Sequence, residues 1–125
     1  MKILLMNDAP VSLKILEDML KKADPTLEVL TAKDGQEGLE IFQRDYKDIR
    51  LILTDWNMPR MDGLEFMRVT RKEKHLSAIP IIMITATWTK EEQEVVRMVN
   101  PDLAGYLISP VKQEELIAAV TPYLK

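Results

Sequence analysis

Cysteine is absent from this 125-residue chain. That excludes disulfides, thiolate nucleophiles and cysteine-based zinc sites, and it fits a reducing compartment. No apolar run approaches the roughly 20 residues needed to cross a bilayer. The opening stretch, MKILLMNDAP, is too short in its apolar part for a secretory signal and lacks a small-residue cleavage site. An excess of positive charge is also missing. Seventeen Lys and Arg stand against twenty Asp and Glu, for a net charge of -3, so nothing marks the chain for nucleic acid or an anionic membrane. The single histidine, His75, sits among Lys72, Glu73 and Lys74 and reads as a solvated residue rather than a phosphohistidine or metal ligand. Repeats, low-complexity tracts and linkers are lacking. A cytoplasmic unit spanning 1–125, with one core and no second domain, is expected.

What is present is a regular alternation. Five short apolar runs, Ile3–Met6, Leu27–Leu30, Leu51–Leu53, Ile81–Ile84 and Tyr106–Ile108, are mostly continuous, as strands buried on both faces of a parallel sheet should be. Helical stripes lie between them. Val11, Ile15, Leu16, Met19 and Leu20 form the first, and Leu39 with Phe42 the second. Leu64, Met67 and Val69 form the third; Val95, Val96 and Val99 the fourth; Leu116, Ile117, Val120 and Leu124 the fifth. Asp24-Pro25 closes the first helix, Asp34-Gly35 opens the second, Pro80 precedes the fourth strand and Pro101 stops the fourth helix near Asn100. The eight methionines read as core filling. The fold class expected is α/β, a doubly wound five-stranded parallel sheet with helices on both faces.

In such sheets ligands gather at the carboxyl ends of the strands, where strand order reverses. The residues there are Asn7 and Asp8, then Asp55, Thr85 and Ser109. With the order 2-1-3-4-5, which the residues alone do not establish, Asp8 and Asp55 meet across the switch point. Two such carboxylates repel unless a cation lies between them. Hard oxygen ligands suit Mg²⁺, with a backbone carbonyl such as that of Asn57 as a third donor. A carboxylate so placed can act as a nucleophile toward a phosphoryl group. Asp8 can instead cap the first helix beside Pro10, a role compatible with metal binding.

The segment LILTDWNMPRMDGLEF, residues 51–66, resembles the phosphoacceptor segment of two-component response-regulator receiver domains of the chemotaxis type. MKILLMNDAPVSLKILEDML, IPIIMITA and GYLISP extend the likeness over essentially the whole chain. The resemblance implies a flavodoxin-like (βα)5 fold and a non-enzymatic switch. Asp55 would be the phosphoacceptor. Mg²⁺ would be held by Asp8, Asp55, the Asn57 carbonyl and, through water, Asn7. Thr85 would be the phosphoryl-sensing hydroxyl and Tyr106 the aromatic whose rotamer follows it. Ser109-Pro110 falls where the family often has a cis peptide. Implied partners are a histidine kinase or phosphotransfer protein, and a protein target on the face made by the fourth helix, fifth strand and fifth helix. A monomer or weak dimer is expected.

Two positions depart from the pattern. Asn7 replaces an acid, which removes a negative charge from the metal site. Ser109 replaces the lysine that neutralises phosphoryl oxygens, with Lys90 and Lys112 as distant substitutes. A rival reading follows, in which the chain is an atypical receiver that binds partners constitutively. A flavodoxin is disfavoured by the acid in NDAPVS, and an Asp-nucleophile phosphatase by a nucleophile after the third strand rather than the first. Trp56 reads as a partly exposed neighbour of the site. Trp88 reads equally as packing or as a flank of the entrance or partner surface.

Overall fold

The computed structural model describes residues 1–124. Five strands, β1 (Lys2–Met6), β2 (Glu28–Ala32), β3 (Ile49–Asp55), β4 (Ile81–Thr85) and β5 (Gly105–Ile108), pair in parallel in the order β2-β1-β3-β4-β5. Five helices connect or follow them: α1 (Pro10–Ala23), α2 (Gly35–Asp45), α3 (Gly63–Arg71), α4 (Lys90–Val99) and α5 (Gln113–Val120). A short 3-10 turn at Thr121–Tyr123 follows α5. This is the doubly wound, flavodoxin-like architecture that the alternation of strand and helix leads one to expect. No helix among the described residues is long and apolar enough to cross a membrane.

The sheet divides the apolar residues by strand parity, because successive side chains leave opposite faces. Leu4 and Met6 of β1 and Ile81 and Met83 of β4 join Phe42, Phe66 and Val96 beneath α2, α3 and α4. Ile3, Leu5, Ile82 and Ile84 join Leu16, Leu20, Leu116 and Val120 beneath α1 and α5. Ile49 and Ile52 share one face although they lie three positions apart. The β1–β3 register shifts between Lys2 and Ile3, which inserts Arg50 and reverses the parity. Phe42 and Phe66 are fully buried, and each such side chain contributes about 1.5–3 kcal/mol of transfer free energy.

Two details differ from the sequence reading. The stripe on α1 is narrower than expected, since Leu16 and Leu20 are buried whereas Val11 and Ile15 are 73% and 49% exposed. Among the described residues α1 packs on β1, β2 and α5 through a face that buries Leu16 and Leu20, and the outer part of its apolar arc stays at the surface. Nor are all methionines core filling. Met6, Met58, Met67 and Met83 are buried, but Met98 on α4 is 86% exposed. The helix stops fall as read: α1 is followed by Asp24, and α4 ends at Val99 with Asn100 as its cap.

Candidate functional site at the carboxyl edge of the sheet

Asp55 closes β3, beyond the buried run Leu51–Thr54. Its backbone is held on both sides. The buried Thr54 hydroxyl donates to the Asp55 carbonyl at 2.8 Å. The Gly63 amide donates to the Trp56 carbonyl at 2.8 Å. A Cβ on Gly63 would lie 2.3 Å from the Asp55 carbonyl oxygen, so glycine is what lets α3 begin so close to the strand end. Asp62 caps that helix by accepting from the Glu65 amide at 2.8 Å. Strand and helix therefore fix the Asp55 main chain at the carboxyl edge of the sheet.

The carboxyl group of Asp55 is half-buried, and its pKa is pushed above the ordinary value by that burial. The Trp56 amide, which donates to Oδ1 at 2.8 Å, acts in the opposite sense. The charge of Asp8 raises it further, and the Asn57 amide lowers it. The two acids anticipated at the ends of the first and third strands are thus neighbours. No lysine or arginine is among the causes of the Asp55 shift. Neither acid forms an ion pair with a described Lys or Arg, Lys90 and Lys112 included.

Asp8 is exposed and does not cap α1. Ala9 occupies the cap position without a side-chain bond, and the Asn7 Oδ1 accepts from the Ala9 amide at 2.8 Å. Asn7, 7% exposed, therefore organises the turn into α1 and leaves the Asp8 carboxylate unengaged. The carbonyl of Asn57 accepts no hydrogen bond from a described residue. Two neighbouring carboxylates and a carbonyl free of hydrogen bonds are hard-oxygen donors, and a divalent cation would relieve the repulsion between the acids. The described residues hold no cluster of three Asp, Glu or His side chains that could bind a metal by themselves. The donor set fits Mg²⁺, which keeps waters of its own and takes few protein ligands.

Thr85 ends β4, neighbouring Asp55 along the sheet edge through the Asp55–Ile84 pairing. It is 5% exposed, and its hydroxyl has no partner among the described residues. Ser109 follows β5, its amide donating to the Thr85 carbonyl at 2.9 Å, and the Ser109-Pro110 bond is cis. Ser109 lines a cavity of about 110 Å³ together with Asn7, Ser12, Ile84 and Val111. Tyr106 is 49% exposed and stacks on Trp88. Trp88 thus packs against the core and also lines a surface cavity with Tyr106, the aromatic expected to move. Trp56 is partly buried against the core, and the exposed His75 meets the ring of Tyr46 edge-on at 4.8 Å.

Sequence reading did not single out Arg60. Its guanidinium reaches Asp34, 26 residues away, with Nε and Nη2 donating to Oδ2 at 3.0 and 2.7 Å. The Asp-Gly pair signalled Asp34 as a helix cap, but no local signal pointed to its second partner.

The chain matches the family described as response regulator receiver domain over residues 3–121. It is similar to a chemotaxis protein CheY homolog of Campylobacter jejuni, with 31% identity over 93% of this chain and 86% of that protein. Chemotaxis protein CheY1 of Helicobacter pylori is also 31% identical, over 93% of this chain and 90% of that protein. Among solved structures, chemotaxis protein CheY4 of Vibrio cholerae superposes with a TM-score of 0.86 at 29% identity, covering 98% of both chains.

Proposed function

Since the chain belongs to the response-regulator receiver family, we propose that it is a phosphorylation-controlled switch of a two-component system whose phosphoacceptor is Asp55. The observation that carries this reading is the state of that carboxyl group. It is half-buried, set against Asp8, held by backbone amides and unpaired with any described cation. Such a group is a poised nucleophile with an unmet demand for positive charge.

In the transfer step an oxygen of the Asp55 carboxylate attacks the phosphorus of a phosphohistidine on a histidine kinase or phosphotransfer protein. The new O–P bond forms as the P–N bond breaks, and the electron pair leaves with the imidazole nitrogen, which takes a proton from solvent. The Thr85 hydroxyl donates to a phosphoryl oxygen. Asp8, Asp55 and the Asn57 carbonyl would hold Mg²⁺, with Asn7 contributing through water. The ion would supply charge neutralisation for the phosphoryl oxygens. When Thr85 turns toward the phosphoryl group it vacates space beside β4, and Tyr106 follows it inward. The α4–β5–α5 face then changes its population of shapes for a downstream protein target. Receiver domains are signalling units rather than classical enzymes, and this one is read as working in the cytoplasm.

Incubation with acetyl phosphate and Mg²⁺ tests this reading. Intact-mass spectrometry should show the gain of one phosphoryl group, abolished in Asp55→Asn. A specific observation favours a second reading, that of a constitutive protein-binding module: the position after β5 carries the neutral, short Ser109, and no described lysine reaches the acids. An unmodified mass after prolonged incubation would select that reading.

A further inference from the structure

Asp34 carries more than a helix cap requires. It is 2% exposed, and its Oδ1 already accepts the Glu37 amide at 2.8 Å, which completes the cap of α2. The other oxygen is taken by both Nε and Nη2 of Arg60, a forked contact that fixes the guanidinium in orientation as well as position. Beside it, the Gly35 amide donates to the Met61 carbonyl at 2.8 Å. A Cβ on Gly35 would stand 2.4 Å from that same oxygen, so the loop and the start of α2 lie in direct contact.

Arg60 itself has φ 64, the one non-glycine residue with positive φ among those described. Left-handed backbone is unfavourable for a residue with a Cβ, so it persists where surrounding contacts over-determine it. Here the contacts are those to Asp34 and Gly35. The segment they secure, residues 56–62, begins immediately after Asp55 and contains Asn57. One end is tied by Gly63 to Trp56, and the other by Arg60 and Met61 to the second helix.

We propose that Arg60 is a positioning residue for the cation site: clamped by Asp34, it holds the β3–α3 loop in the shape that presents the Asn57 carbonyl beside Asp55 and Asp8. The proposal rests on the metal-site reading above and adds to it the residue pair that sets affinity for a hard divalent ion. The pair bonds to none of the proposed ligands directly and acts through the loop backbone; supports outside the ligand set commonly govern how tightly a metal is held.

The test uses Mg²⁺ titration of Trp56 fluorescence in a Trp88→Phe background. Arg60→Gly accepts the left-handed backbone but has no guanidinium. Asp34→Asn retains an oxygen for the cap but loses the charge. Each should weaken Mg²⁺ binding by about tenfold, the low end for such supports. Arg60→Lys, which keeps charge without the fork, should recover part of that loss. Raising Mg²⁺ to saturation should restore labelling by acetyl phosphate in Arg60→Gly, because the nucleophile is intact. Variants that melt at lower temperature yet bind Mg²⁺ as the parent does would overturn the clamp and leave the metal site standing. A parent protein with no response to Mg²⁺ would overturn the metal site, and the clamp with it.

Discussion

Trp88 lies over Tyr106 in a stacked arrangement, the ring centroids 4.8 Å apart and the planes at 21°. Tyr106 remains half exposed, so the indole restrains an aromatic that the core does not enclose. An aromatic pair of this kind contributes about 0.5–1.5 kcal/mol beyond its buried area. Trp88→Ala should therefore lower stability by more than about 1 kcal/mol in urea denaturation, since the buried area of the indole is lost with the stack. It should also shift the Tyr106 rotamer populations in side-chain NMR toward the buried orientation, since the outward state loses its partner. Unchanged populations would mean that the stack does not bias the switch.

Gly63 admits the start of α3 to within contact of the Asp55 carbonyl. In Gly63→Ala, a Cβ 2.3 Å from backbone oxygen has no flexible neighbour to displace. An overpacking cost of about 1–3 kcal/mol is expected, read as a lower urea midpoint. The displaced strand end should also slow phosphoryl acceptance at Asp55.

The pKa of Asp55 is raised, first by burial, and the sign of its effect on stability follows. The folded state binds that proton more tightly than the unfolded state, so ionised Asp55 destabilises the metal-free protein at neutral pH. The penalty is full above the raised folded pKa and disappears as pH falls below the ordinary value of 3.8. Asp55→Asn should accordingly melt at a higher temperature than the parent at pH 7 in chelator. The advantage should shrink on acidification. An equal melting temperature at pH 7 would show that the carboxylate is not strained.

Ser109 stands where no described cation serves the acid pair. Ser109→Lys places an ammonium at the end of β5, next to a cavity of about 110 Å³ that Ser109 lines. The rate of labelling by acetyl phosphate should rise on the order of 100-fold, the scale of one charge-stabilising donor in a transferring site. A time course by mass spectrometry reads this directly. A rate equal to the parent's would place the required charge elsewhere.

Asp34 gives a pH signature of opposite sign. Burial by itself would raise its carboxyl group. The Glu37 amide, the hydrogen bond and charge of Arg60 and the Gln36 amide together hold it below the ordinary value. Its contribution is present above pH 3.8 and is lost as pH falls through the lowered folded pKa. Asp34→Asn should thus be less stable than the parent at neutral pH, with the gap closing in strong acid in a thermal melt series.

Local chemistry made much of this legible in advance. Apolar runs of strand length alternating with helical stripes require a parallel sheet covered on both faces, and Asp8 and Asp55 are conspicuous because each stands where such a run stops. Asp24-Pro25, Asp34-Gly35 and Pro101 mark helix ends because they act within a turn of their own position. Contacts between distant segments left no such trace. Arg60 and Asp34 are 26 residues apart, and nothing near either names the other. Val11 and Ile15 continue a good apolar stripe, yet exposure depends on which elements lie alongside, and the face that α1 turns to the sheet and α5 buries Leu16 and Leu20 instead. Asp8 reads as a possible cap until the turn is seen to be closed by Asn7. By itself the amino-acid order determined the elements, the sheet and the acids at its edge, since periodicity and chain-breaking residues act over a few bonds. Only the tertiary structure decided which groups meet around those acids, because hydrogen-bond partners and burial are set by segments that the sequence does not place side by side.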